Sequence, residues 1–150
     1  MPELRPGMFT EIFAKALEKA NEMDRRALGL VAAAAERQAK VNANGGSHKL
    51  GTPTPAQKGS GPATISGTLR RSITHTQVER DGLGWKSNVG MTGNVYAPYN
   101  SRTPSSKYGY YLETVWNYPF LKPACTFAMR VAGPVIWQSQ FRSGGSWRVL

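Results

Sequence analysis

Few side chains of this sequence are of the types that carry out catalysis or bind metals. The two histidines, His48 and His75, are not at ligand spacing, whereas a zinc site needs about four His, Cys or carboxylate ligands in close register. Cys125 has no identifiable His or Asp partner to activate its thiol and is expected to be a small buried apolar residue. After Asp81 the only acid is Glu113, which we expect to pair with a neighbouring base. The sequence therefore predicts no enzyme, no metal site and no cofactor.

The aromatic residues of the second half could instead form a binding surface. They are interleaved with bases, which is typical of a platform on which single-stranded nucleic acid stacks. Tyrosine and tryptophan also favour half-wet interfaces and cores, and no RNP, KH or zinc-knuckle signature supports the nucleic-acid interpretation. We therefore prefer packing and keep stacking as the alternative. The residues concerned are Tyr96, Tyr99, Tyr108, Tyr110, Tyr111, Trp116, Tyr118 and Phe120, with the bases Arg102, Lys107 and Lys122.

Length, cysteine content and hydropathy exclude several classes of protein. The chain has 150 residues, which is the usual length of a single domain. Its single cysteine cannot form an internal disulfide. Its longest mostly apolar run, residues 27–35, is far shorter than the ~20 residues that span a bilayer. The first seven residues lack the layout of a secretory signal. We expect a soluble domain, made inside the cell and without a membrane partner.

The net charge of +10 is unevenly distributed. Residues 1–40 carry seven bases and six acids, whereas residues 41–150 carry twelve bases and three acids. Such an excess attracts polyanions and is screened by salt. It is explained either by a solvated basic surface or by nearness to nucleic acid or an acidic protein. A membrane surface is the least favoured partner, because the bases are scattered rather than grouped on one amphipathic helix.

The periodicity of apolar residues predicts a long helix from Phe9 to Lys40. Two interpretations of its length remain open: part of it packs on a neighbouring subunit, or it spans its own sheet. Gly, Pro, Ser, Thr, Asn and Lys dominate residues 42–62, which predicts a flexible arm that is disordered or becomes ordered against a partner.

Beyond the arm, the sequence alternates between strand and turn signals. Residues 69–79 and 83–89 are predicted to form a hairpin around Asp81-Gly82, followed by a short strand at 95–97. Residues 98–109 read as a polar loop and 110–116 as a strand. A second helix is predicted from Phe120 to Val131, ended or kinked at Gly133-Pro134. The C-terminal segment, 134–150, is expected to be a hairpin or an extension, and a hairpin is favoured over a continuing helix. The expected fold is thus α+β, with a long N-terminal helix and a shorter second helix packed on an antiparallel sheet, joined by long flexible loops.

Three short blocks follow the long helix. The first is Ser66-Gly67-Thr68-Leu69-Arg70-Arg71-Ser72-Ile73 and the last is Pro119-Phe120-Leu121-Lys122-Pro123-Ala124. The middle block is Tyr110-Tyr111-Leu112-Glu113 or Tyr96-Ala97-Pro98-Tyr99, and we favour the former because it keeps a glutamate. In this order they resemble the tail-completion, or neck, proteins of long-tailed bacteriophages, head-to-tail connectors of the minor tail protein Z type. The sequence departs from the family pattern in three places. Ile65 stands where the family usually has Asp, the 42–62 linker is longer than usual, and Gly133-Pro134 interrupts the second helix.

The resemblance implies a structural virion protein, made in the host cytoplasm and located at the neck or the top of the tail. It implies a homo-oligomeric ring, a hexamer, through which DNA passes. Its implied partners are portal-side connector or adaptor proteins and tail terminator or tail tube proteins, with non-specific contact to packaged DNA as a further option. The alternative function is that of a basic nucleic-acid-binding accessory protein.

The same blocks supply the candidate structural and interface residues. Gly67 is expected to provide a backbone turn, Leu69 and Ile73 to enter the core, and the two arginines between them to point to different sides. Two prolines are expected to fix the entry of the second helix so that Phe120 is buried. Maintenance of the fold is preferred over direct function for these positions. The full set is Gly67, Leu69, Arg70, Arg71, Ile73, Tyr111, Glu113, Pro119, Phe120, Leu121 and Pro123.

Overall fold

A long helix, α1, spans Met8–Asn42 and confirms the helix predicted from the apolar period. The computed structural model describes residues 8–93 and 95–143. At 1.5 Å per residue the 35 residues of α1 extend about 52 Å. Two ion pairs between residues four apart support it: Arg26 Nε lies 3.0 Å from Glu22 Oε1, and Lys40 Nζ lies 2.5 Å from Glu36 Oε1. One face is buried at every fourth residue, namely Met23, Ala27, Val31, Ala35 and Ala39.

A short helix, α2 (Thr68–Ser72), stands where a strand was predicted to begin at Leu69, so that part of the prediction is wrong. Gly67 precedes it with φ +75, and Arg71 N–H donates to Gly67 O over 3.0 Å. Ser66 Oγ accepts the Thr68 N–H, a local bond that competes with strand pairing. Ile73, which follows this turn, is the first residue of β1.

The predicted hairpin is present but interrupted. Strand β1 (Ile73–His75) pairs with β4 (Val89–Met91), and β2 (Glu79–Asp81) pairs with β3 (Gly84–Lys86), both antiparallel. Thr76 and Asn88 connect the two ladders through Thr76 N–H to Asn88 O at 2.8 Å. Next, β5 (Tyr96–Ala97), the predicted short strand, pairs with β6 (Asn100–Pro104). In the described part of the chain the strands form three two-stranded ladders instead of one continuous sheet.

A third helix, α3 (Ser105–Thr114), replaces the end of the predicted 98–109 loop and most of the predicted strand at 110–116. The earlier part of that loop forms β6 instead. Pro104 precedes its first turn, and Ser105, Gly109 and Leu112 are buried at steps of four and three. The tyrosines at 110 and 111 favour strands intrinsically, but packing of this helical face outweighs that preference.

The C-terminal part of the described chain is helical. The predicted second helix is present as α4 (Leu121–Phe127), which continues through a π-helical turn, Ala128–Ala132, into α5 (Gly133–Ser143). The hairpin favoured for 134–150 is therefore wrong up to Ser143, and residues 144–150 lie outside the described residues. Gly133 N–H donates to Ala128 O across the widened turn. Pro134 then occupies the first turn of α5, where a missing N–H costs little.

The helices pack around α1 in an α+β arrangement, as predicted. Asn42 Nδ2 donates to Phe120 O at 3.1 Å, Val31 and Ala35 contact Ala128, and Trp137 Nε1 donates to Asp24 Oδ1 at 3.0 Å. As the chain advances from Phe120 to Trp137, its partners on α1 lie progressively closer to the start of that helix. Helices α4 and α5 are therefore antiparallel to α1. The long helix therefore packs within its own domain over residues 23–43.

The 42–62 segment, predicted as a flexible arm, has little secondary structure and is mostly exposed, yet its ends are tied to the same chain. Gly45 N–H donates to Pro62 O at 2.9 Å, and Thr64 N–H donates to Gly46 O at 2.7 Å. Gly59 N–H donates to Asn117 O at 2.7 Å. Whether this loop also meets a partner stays a prediction.

Replacing Gly61 by alanine tests how tightly the loop closes on α1. A Cβ at Gly61 would lie 1.7 Å from Asn42 O, a backbone atom that cannot move aside cheaply. We expect Gly61→Ala to lower the free energy of unfolding by about 1–3 kcal/mol, measured by urea denaturation. Gly90→Ala is the matched control, because a Cβ there meets nothing within 4 Å. Equal stability of the two variants would contradict the close approach.

Candidate assembly site

The first and last blocks of the resemblance meet in one hydrophobic cluster. Ile73 and Phe120 are fully buried there, and Leu69 and Leu121 pack against them at the edge. The middle block contributes Leu112, which is buried in the same cluster. The end of α1 completes it through Ala39 and Ala43, with Ala124 from α4. The predictions that Ile73 and Phe120 enter the core are confirmed, whereas Leu69 is only partly buried and packs at its edge.

The Glu113 carboxylate closes this cluster at the start of α4. Its Oε2 accepts the N–H groups of Phe120 at 2.7 Å and Leu121 at 3.0 Å, and its Oε1 accepts that of Lys122 at 2.8 Å. The first N–H groups of a helix have no partner within the helix, and they carry the positive end of its dipole. A carboxylate is therefore well suited to this position. The expectation that Glu113 pairs with a base is wrong, because its oxygens are used by the backbone.

The turn between α3 and α4 is shaped to bring the carboxylate to this position. Asn117 adopts φ +60, a backbone conformation that Asn tolerates better than most residues, and Tyr118 N–H donates to Leu112 O at 2.8 Å. Pro119 follows and is partly buried. Pro123 is the third residue of α4 and therefore lies in the first turn of that helix. Both prolines thus flank Phe120, the residue that precedes the helix.

The remaining predicted residues lie around α2. Gly67 has the left-handed φ that its predicted role needs, and an added Cβ would lie 3.3 Å from the Arg71 guanidinium. Arg70 and Arg71 are both exposed. Arg71 Nη2 lies 3.5 Å from Thr68 Oγ1. These two arginines are thus available to a partner.

The aromatic residues of α3 and the turn after it pack on one another. The ring centroids of Tyr108 and Trp116 are 5.5 Å apart and those of Tyr111 and Trp116 are 5.6 Å apart. Tyr110 lies 6.0 Å from Tyr111. Burial, together with the nearby Tyr99, raises the pKa of Tyr108, which keeps that phenol neutral. These ring contacts agree with the packing interpretation of the aromatic residues, although the side chains of Tyr110 and Trp116 remain partly exposed.

The titratable side chains near the core form local ion pairs or are partly buried. His75 Nδ1 contacts the Glu36 carboxylate, and the hydrogen bond from Lys40 together with His75 lowers the pKa of Glu36. Burial raises the pKa of the Cys125 thiol, and the Glu113 charge adds to the effect, so this cysteine is not activated. Within residues 8–93 and 95–143, no group of three or more His, Cys, Asp or Glu is placed to hold a metal ion.

Comparisons of this chain with family models, curated proteins and solved structures found no match. In the described ranges, no helix is both long and apolar enough to cross a membrane.

Sequence reasoning missed two residues of the site. The sequence places Asn42 at the start of the 42–62 arm, whereas it ends α1 and its side-chain Nδ2 donates to Phe120 O. Leu112 was read as part of a strand, whereas it faces the core from α3. Ser105 and Gly109 are not apolar, so their burial beside Leu112 on α3 left no clear signal in the sequence. The contact of Asn42 with a residue 78 positions away left none either.

Removing the Glu113 carboxylate should weaken the fold. We expect Glu113→Ala to lower the free energy of unfolding by about 2–4 kcal/mol, since three helix N–H groups lose a charged acceptor. The measurement is urea denaturation followed by circular dichroism. The control is Glu79→Ala, whose partner Lys86 lies 3.6 Å away on an exposed surface, and which should change stability by less than about 1 kcal/mol. Similar losses in both variants would contradict the capping role.

Proposed function

We propose that this chain is a structural component of the head-to-tail junction of a tailed bacteriophage, where it assembles as a ring around the DNA channel. The proposal rests on the order of the three blocks that resemble neck proteins. The observation that supports it best is that these blocks, far apart in sequence, form one unit: a shared core closed by the Glu113 cap. If the three blocks share one structural role, a single constraint explains why they occur together in this order. Chance resemblance would need three independent coincidences.

The distribution of charge fits this function. Residues 41–150 hold nine of the ten net positive charges, and Arg70 and Arg71 are exposed beside the shared core. A basic surface suits a position next to packaged DNA or acidic neighbouring proteins. In this proposal the chain contacts portal-side connector or adaptor proteins on one side and tail terminator or tail tube proteins on the other.

The same charge favours the second candidate, a basic accessory protein that binds nucleic acid. Exposed Arg70 and Arg71 and the one-sided exposure of Tyr110 and Trp116 are compatible with it. Its distinguishing property is tight DNA binding by a monomer, with an affinity that falls steeply as salt rises. A ring-forming connector needs no such affinity.

Loss of the chain should leave heads and tails unjoined. In a phage that encodes this chain, an inactivating mutation is expected to yield DNA-filled heads and separate tails, counted by electron microscopy. Adding purified wild-type chain to that lysate should restore joined, infectious particles, because the missing part is structural. The destabilised Glu113→Ala chain is the control and should restore fewer particles. Normal particle yield without any copy of the chain would contradict the proposal.

A further inference from the structure

The tip of the β2–β3 hairpin presents an apolar side chain to solvent. Gly82 and Leu83 form its two-residue turn, with Gly82 at φ +59, as the first position of a type II′ turn requires. Leu83 is 96% exposed, the most exposed large apolar residue in the described part of the chain. A single exposed leucine is ordinary. This one stands out because it projects from a narrow two-stranded element.

The hairpin is also where the acids of the basic section are concentrated. Residues 41–150 contain three acids, and two of them, Glu79 and Asp81, belong to β2. The bases of the hairpin are engaged within it: Lys86 pairs with Glu79, and the Arg80 guanidinium lies 4.7 Å from the centre of the Trp85 ring. Asp81, next to the tip, has no ion-pair partner among the described residues. The tip therefore combines a leucine with an unpaired negative charge.

An apolar pocket lies elsewhere on the molecule, between α2, β5 and α3. Its volume is about 140 Å³, similar to the cavity of about 150 Å³ that accommodates a benzene ring in another protein. The four carbons of a leucine side chain therefore fit. Its apolar and aromatic lining is formed by Leu50, Ile65, Leu69, Ala97, Tyr99 and Tyr108.

The surroundings of the pocket are basic. Arg70 lines the adjoining groove, which shares Leu69, Tyr99 and Tyr108 with the pocket. Arg70 has no ion-pair partner among the described residues, and Arg71 beside it is exposed as well. The charge around the pocket is thus opposite to that of Asp81 at the hairpin tip.

The hairpin tip does not occupy the pocket of its own chain, since Leu83 is 96% exposed. Val78, just before β2, packs beside Gly29 of α1, whereas the groove adjoining the pocket includes Ala43 at the end of that helix. Fourteen helical residues separate these positions, or about 21 Å along the axis. Tip and pocket therefore lie on different parts of the surface.

We propose that Leu83 of one copy inserts into the pocket lined by Ile65, Leu69, Tyr99 and Tyr108 of a second copy of this chain, with Asp81 facing Arg70. The contact joins two different surfaces, so it repeats from copy to copy and can close into a ring. It rests on the proposed function and specifies how the ring of that function is held together.

Placing a charge at the tip tests the insertion. Leu83→Asp should weaken assembly of the purified full-length chain by about 10- to 100-fold, the range expected for burying one leucine side chain. The readout is molecular mass by light scattering across a concentration series. Leu17→Asp is the matched control, because Leu17 is 64% exposed on α1 and lies outside the proposed contact. Assembly of Leu83→Asp equal to that of the control would overturn the proposal.

Cysteine crosslinking tests the contact itself. In a Cys125→Ser background, chains carrying Leu83→Cys are mixed with chains carrying Ala97→Cys and oxidised. We expect a covalent dimer in the mixture well above the amount formed by either chain alone. A mixture that yields no more dimer than the separate chains would overturn the proposed contact.

The outcomes separate this contact from the function on which it rests. A wild-type ring that Leu83→Asp leaves unchanged overturns only the contact. A wild-type chain that stays monomeric at every concentration overturns the contact and contradicts the ring as well. Failure of the chain to restore joined particles, with the crosslink present, contradicts the neck function alone.

Discussion

The carboxylate of Glu113, which accepts three backbone N–H groups at the start of α4, is the interaction on which the rest of the structure depends. It fixes the end of α3 to the beginning of α4, and α4 continues through the π-helical turn into α5 along α1. The same turn holds the 42–62 loop through Asn117 O. One charged acceptor therefore couples the loop, the C-terminal helices and the core that contains Ile73 and Phe120.

The parts of the fold that depend on local signals were predictable from the sequence. The apolar period of α1 and Pro123 in a first helical turn are such signals, and both are present in the structure. The turn signal at Asp81-Gly82 also marks a hairpin, although Asp81 ends β2 and the turn residues are Gly82 and Leu83. The strand predicted from Leu69 failed because Ser66 and Gly67 begin a helical turn. The strand at 110–116 failed because the buried face of α3 outweighs the strand preference of two tyrosines. The C-terminal hairpin failed because a π-helical turn lets the helix continue into Pro134.

Most residues of the candidate site could be predicted from the sequence, but the geometry that brings them together could not. Burial of Ile73 and Phe120, and packing of Leu69 at the edge of their cluster, follow from the apolar character of these residues. Gly67 adopts a positive φ, a backbone conformation that glycine tolerates best. The role of Glu113 depends on a turn that brings it to the following helix. Asn117 and Pro119 signal a turn in the sequence, but they do not specify which acceptor meets the N–H groups of α4. The exposed Leu83 and the distant pocket are features of the tertiary structure and carry no sequence signal of their own.

The central claim is that this chain forms a ring at the head-to-tail junction, and electron cryomicroscopy of intact particles tests it most directly. The predicted result is a ring of copies around the DNA channel at the neck or the top of the tail, each with its β2–β3 hairpin against the next copy. Particles that contain no copy of the chain, or that carry it away from the junction, would contradict the claim.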